Sequence, residues 1–299
     1  MQLTRIRTLT VDTPQPSGHA FLSAASGMVV CGSMLCVVAD DTHSLALFDL
    51  EGNEPGRLIP LITGDLPSDA AQRKKVKPDF EILLALPDGR LLALGSGSAA
   101  QRMRGAVVEL ASNGEAASVR LIDLGLLFAA LVPLVPAVNL EGAVLQSEHV
   151  LLFNRGTMAH PASHIMEVPL APVLAGEPVA ARLLATLTLP LCAGVPLTVT
   201  DACPLENGHI LVAAVAEATA DSYADGALVG AAIVELDAEF NVSAVEPLEP
   251  MLKVEGLATR VGAAGIQVLC VTDADDPEQA AGAYGGVLRE LRVFGDPAP

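Results

Sequence analysis

Five polar residues recur at nearly even spacing along the 299 residues: Ser26, Glu81, Glu141, Asp201 and Glu255, at intervals of 55, 60, 60 and 54. Each stands at the start of a short apolar run: SGMVV, EILLALP, EGAVLQ, DACPL and EGLATR. Four of the five are carboxylic acids. Gathered into one narrow opening, those carboxylates repel, and in a low dielectric this costs several kcal/mol unless something compensates. A divalent cation is one answer. Glu81, Glu141, Asp201 and Glu255, with the amide oxygen of Asn139, are hard donors without His or Cys at the matching positions. That set suits Ca²⁺ or Mg²⁺ better than zinc. A structural ring is the other answer, in which the acids cap backbone amides and Lys77, Arg155 and Lys253 absorb the charge.

Cations are scarce, 17 Lys+Arg against 35 Asp+Glu, so their places are informative. Lys77 and Lys253 shortly precede recurring acids, and Arg102 follows the stretch Gly95-Ser96-Gly97-Ser98. With Ser98 and Tyr223, which lies in a long loop, they are candidate substrate contacts; pairing with local acids is the alternative. Glu217, Asp273 and His160 are candidates to carry a proton, and Arg155 to steady an anionic group. No Gly-x-Ser-x-Gly nucleophile pattern occurs.

The elements that must position these residues repeat too. Strand-like runs come in fours, as in FEILLALP, RLLALGSGS, GAVVEL and VRLIDL. The fifth set, VEGLATR, IQVLCVTDA and GVLRELRV, lacks a fourth member. The N-terminal stretch with Leu3, Ile6, Leu9 and Val11 is suited to supply it. The pattern predicts an all-β chain: one domain over residues 1–299, a five-bladed β-propeller of four-stranded antiparallel blades, closed by the N-terminal strand. Six blades would need repeats of about 50 residues, and no sixth opening strand is found. Short helices are predicted over 68–77, capped by Ser68, and over 125–131. In such a ring the recurring acids and the long loops share one mouth.

The net charge of −18 argues against nucleic acid and against anionic membrane surfaces as partners. The longest apolar run, Leu124 to Val138, is broken by Pro133 and Pro136 and too short to span a bilayer. The N-terminus has no apolar core of a signal peptide. Five cysteines in or beside apolar runs, without C-x-x-C spacing, predict reduced buried thiols and a cytoplasmic protein.

The stretches SGMVVCGSMLCVVADD, KPDFEILLALPDGRLLALGSGS, NLEGAVL with LLFNRG, and KVEGLATR resemble a family of bacterial propeller proteins without an assigned reaction. More distantly they resemble the esterase-like phytase and SdiA-regulated propellers, and more loosely the gluconolactonase group. The resemblance implies a site at the channel mouth, in several relatives a channel Ca²⁺ and hydrolysis of esters or lactones. The gluconolactonase pattern of Glu, Asn and Asp falls here on Glu141, Asp201 and Glu255, with Asn139 or Asn154. The expectation is a small-molecule site, as in a Ca²⁺- or Mg²⁺-dependent hydrolase of an ester, lactone or phosphoester. The alternative is a non-catalytic interaction propeller with a protein partner.

Overall fold

The computed structural model describes residues 1–111, 114–219, 226–262 and 265–288. A first strand, β1 (Thr4–Thr8), precedes blade 1: β2 (Ala25–Cys31), β3 (Met34–Ala39), β4 (Ser44–Asp49) and β5 (Arg57–Pro60). Helix α1 (Ala70–Val76) leads into blade 2: β6 (Phe80–Ala85), β7 (Leu91–Gly95), β8 (Arg104–Leu110) and β9 (Ala116–Asp123). Helix α2 (Gly125–Leu131) leads into blade 3: β10 (Leu140–Gln146), β11 (His149–Asn154), β12 (Ser163–Pro169) and β13 (Arg182–Leu187), with α3 (Leu170–Ala175) between its last two strands. A two-residue hairpin, β14 (Leu191–Cys192) and β15 (Val195–Pro196), precedes blade 4: β16 (Thr198–Pro204), β17 (Ile210–Glu217), β18 (Leu228–Leu236) and β19 (Val242–Pro247). Blade 5 is β20 (Val254–Gly262), β21 (Gly265–Thr272), β22 (Gly282–Leu288) and β1. The chain is a five-bladed propeller, and all blade pairings are antiparallel.

Blades bury both faces against their neighbours, so their middle strands read as unbroken apolar runs rather than alternations. β17, ILVAAVAE, is buried at every position. Outer strands face water on one side, and β9 is exposed along most of its length. Among the described residues the core divides into five apolar clusters, one at each blade–blade interface. Around the axis the inner strands approach closely. A Cβ on Gly142 would lie 2.8 Å from the Ala202 nitrogen, and one on Gly256 would lie 2.2 Å from the Ser26 carbonyl oxygen. Only glycine fits at these positions.

The N-terminus closes the ring. β1 pairs with β22, Thr4 opposite Gly285 and Thr8 opposite Gly282. Arg7 locks this strand to blade 1: its guanidinium donates to the carbonyls of Asp49 (2.7 Å), Gly52 (3.0 Å) and Glu54 (2.6 Å). It also lies 4.8 Å from the centroid of the Phe48 ring.

Local expectations needed three corrections. The cap of α1 is Asp69, whose carboxylate accepts the Gln72 N–H at 2.8 Å; Ser68 lies one residue before it. The third strand of blade 5 begins at Gly282 rather than Gly286, and residues 289–299 lie outside the described ones. Helix α3 was not foreseen: it is six residues long and contains Pro172, and Gly176 ends it in the left-handed region at φ 68°. Its short apolar sequence carries no periodicity to separate it from a strand.

The five cysteines are free thiols; Cys36, Cys203 and Cys270 are buried, Cys31 and Cys192 half-buried. Among the described residues no helix is long and apolar enough to cross a membrane.

Candidate functional site

Every inner strand carries a register shift where it enters from the mouth. The shift leaves Glu81, Glu141 and Glu255 between paired positions, and in blade 1 it leaves Ser26 with Gly27. Such bulges re-aim a side chain out of the ladder. In blade 4 the extra residue is Thr200, between Val199 and Asp201. Asp201 is therefore one residue out of phase with the other acids and does not join their ring. Its Oδ1 accepts the Ala202 N–H (2.8 Å) and its Oδ2 the Leu257 N–H (2.7 Å), so it clips blade 4 to blade 5. That is the structural role weighed for these acids, here realised by one of them.

Glu81, Glu141, Glu255 and Ser26 line a mouth cavity of 70 Å³ together with Asp40, Asp79, Asn139 and Asp273. Four cations are inserted among these acids. Arg155, just after β11, ion-pairs with Glu141 (3.6 Å), Glu255 (3.7 Å) and Glu217. Lys253 reaches Glu217 (3.2 Å), Glu255 (3.7 Å), Asp273 (3.0 Å) and Asp275 (2.6 Å). Lys77 binds Asp40, and Asp79 at 2.9 Å. Arg102 binds Asp79 at 2.7 Å and the Ser98 hydroxyl at 2.8 Å. Asn139 donates from Nδ2 to Glu141 Oε1, so it is a neighbour of that carboxylate.

Asp79 is a mouth acid that the recurring spacing does not single out. It is buried and sits in the left-handed region at φ 58°, accepting a hydrogen bond from the Ser96 hydroxyl. A signal existed: two residues before the inner acid stand Asp79, Asn139 and Lys253 in three blades. Each meets a residue at or one past the end of the second strand of its blade, as Asp79 meets Ser96, Asn139 meets Asn154 and Lys253 meets Asp273.

Arg102, Arg155, Lys77 and Lys253, read as substrate contacts or clamps, are thus engaged with carboxylates. Ser98 bonds Arg102 and the Ser96 hydroxyl. His160 stands exposed in the loop after β11, where its amide bonds Thr157, and it does not line the mouth. Tyr223 lies outside the described residues. Tyr284 belongs to β22, is buried, and accepts hydrogen bonds from Arg5 at 2.7 and 3.0 Å.

Burial raises several of these acids, Glu255 and Asp201 among them, and two matter most at the mouth. Burial pushes Glu141 up to about 7 against the pull of Arg155. Burial, then the charges of Asp79, Glu141 and Asp40, push Glu81 well above the carboxylate range, with Lys77 pulling the other way. Among the described residues no Lys or Arg pairs directly with Glu81. One oxygen each from Asp40, Asp79 and Glu81 lie within 4.8 Å of one another.

The sequence matches the family of unknown function DUF6929 over residues 21–287. The chain belongs to this family. A search of curated proteins returned no match. Solved structures with the same fold include Myxococcus xanthus glutaminyl cyclase, at 13% identity and TM-score 0.50, with 96% of this chain and 98% of that one covered. A glucose dehydrogenase aligns at 11% identity and TM-score 0.49, covering 96% and 99%. A chain of a nidogen/laminin complex aligns at 14% identity and TM-score 0.45, covering 93% and 92%. The likeness to the glutaminyl cyclase, at 13% identity, bears on the fold alone.

For this family member, replacing Glu81 by Gln is expected to stabilise the chelator-treated protein. The folded carboxyl is raised above its unfolded value, so ionising it costs stability as pH rises from the free-carboxyl range through the raised value. Each pKa unit by which the folded carboxyl is raised is worth about 1.4 kcal/mol, so the gain grows as pH rises from the free-carboxyl range through the raised value. Melting curves in EDTA check this; a Tm gain independent of pH contradicts it.

Proposed function

We infer that the mouth is a small-molecule site of a divalent-metal-assisted hydrolase acting on an ester, lactone or phosphoester. The observation that carries the reading is the convergence of the Asp40, Asp79 and Glu81 oxygens. Three carboxylates are the hard donor set that Ca²⁺ and Mg²⁺ prefer. The ammonium of Lys77 already rests on Asp40 and Asp79, so those oxygens converge on positive charge. Glu81 supplies the third, without a direct cation partner of its own among the described residues. A divalent ion held there would polarise a carbonyl or phosphoryl oxygen and acidify a water.

The other steps fall to the chain itself. Glu141, at about 7, is matched to accept a proton near neutrality, and Asn139 and Arg155 hold its carboxylate in place. Arg102, itself held by the Ser98 hydroxyl, and the Ser96 hydroxyl orient Asp79. Glu217 and Asp273, first considered for the proton, serve instead as counter-charges of Arg155 and Lys253. Room for a substrate comes from an adjoining pocket of 170 Å³, which shares Asp40, Lys74, Lys77 and Asp273 with the mouth.

The test is turnover of a panel of lactones, carboxylic esters and phosphoesters with Ca²⁺ or Mg²⁺ and with EDTA. Turnover is expected with metal and lost in EDTA, and Glu141→Gln is expected to lower kcat by roughly 10²–10⁴. Turnover unchanged by EDTA contradicts the metal's role, and no turnover on any panel member contradicts the hydrolase. One observation favours the second reading, a non-catalytic interaction propeller: Lys77, Arg102, Arg155 and Lys253 are already paired in a mouth of only 70 Å³.

A further inference from the structure

At the opposite end of the channel, segments of all five inner strands enclose a cavity of 520 Å³. It shares no lining residue with the mouth. The volume is that of an ordinary small-molecule pocket. Its walls are aliphatic: Met28 and Val30 from β2, Leu84 from β6, Leu145 from β10, Leu257 and Val261 from β20, and no aromatic ring. Val261, at 71% exposure, marks an apolar rim open to water.

The wall is poor in usable charge. Asp201 is buried there and spends both oxygens on the Ala202 and Leu257 N–H groups. Arg260 is exposed at the rim, outside the buried wall, and donates from Nε to Gln267. Glu206 is exposed. A charged ligand would give up its hydration without a buried counter-charge in return. A wholly apolar ligand would leave other polar groups unmet. Each inner strand is the terminal strand of its sheet, so its free edge turns backbone N–H and C=O groups toward the axis. These groups suit a ligand with a neutral oxygen.

We propose that this second cavity binds a neutral aliphatic molecule carrying one hydroxyl or carbonyl oxygen, of the class of a medium-chain alcohol or its ester. The aliphatic lining selects the chain, the backbone edges bind the oxygen, and the satisfied Asp201 offers nothing to an ammonium or a carboxylate.

The protein has no tryptophan, so a single one reports cleanly. Val261→Trp places it on the exposed rim, and 8-bromo-1-octanol is the quenching probe. Quenching is expected to saturate and to be reversed by 1-octanol. Octanoate and octylamine are expected to compete at least about tenfold more weakly. Adding Val30→Phe, which fills the wall, is expected to weaken quenching on the order of tenfold. Glu81→Gln at the mouth is expected to leave it unchanged, which separates this site from the hydrolase reading. Quenching that does not saturate, or equal competition by octanoate and 1-octanol, overturns the proposal. That competition needs no filling variant, so it decides the matter even if Val30→Phe fails to fold.

Discussion

Removing residues 1–12 is expected to abolish cooperative unfolding of the whole chain, not to trim one edge. The deletion strips β22 of its outer partner and leaves blade 5 with three strands. It exposes the sites where Leu3, Leu9 and Val11 are buried. Each such side chain is worth about 1.5–3 kcal/mol, against a total stability of about 5–15 kcal/mol. The carbonyls of Asp49, Gly52 and Glu54 lose the Arg7 guanidinium as well. Arg7→Ala, which keeps the strand, is expected to melt cooperatively at a lower Tm. Circular dichroism melts of the three proteins check this. An unchanged melting curve for the deletion would show that closure by β1 is dispensable.

The second large effect concerns the mouth. Arg155→Met is expected to destabilise the fold by about 3–5 kcal/mol, the cost of leaving buried charges without their partner. Glu141, Glu217 and Glu255 all converge on this guanidinium, and Lys253 reaches only the last two. The loss depends on pH with a definite sign. Burial already holds the folded carboxyls of Glu141 and Glu255 above their unfolded values, and removing Arg155 raises them further. Groups with a raised folded pKa cost stability as pH rises through it. The defect is therefore largest at about pH 8 and partly relieved at about pH 5, and Arg155→Lys falls between wild type and Met. Denaturant melts at the two pH values decide it; a defect equal at both contradicts the account.

The propeller was legible because its physics repeats. Blades buried on both faces write apolar runs, and the polar entry residue of each inner strand punctuates them at 54–60 residue intervals. Closure was legible from a missing strand at one end and a spare one at the other. The site was only half legible. Asp201 shares the spacing of the acids, yet the bulge of blade 4 falls on Thr200, one residue earlier. A slip of one residue turns a side chain to another surface, and spacing alone does not reveal it. Asp79 escaped notice because it belongs to no recurring strand start; its role comes from a left-handed backbone that brings it to Lys77 and Arg102. For the cations, spacing left open both a ligand and pairing with local acids. Burial in the ring turns them to the nearest carboxylates, as the cost of an unpaired buried charge requires.

The most direct test of the central claim is divalent-metal content, with melting curves in EDTA, Ca²⁺ and Mg²⁺, on wild type and Glu81→Gln. The account predicts one ion per chain in the wild type, a Tm that falls in EDTA and recovers with the ion, and neither effect in Glu81→Gln. A wild-type protein without stoichiometric metal, whose Tm moves with neither ion, would contradict it and leave Asp40, Asp79 and Glu81 as structural partners of Lys77 and its neighbours.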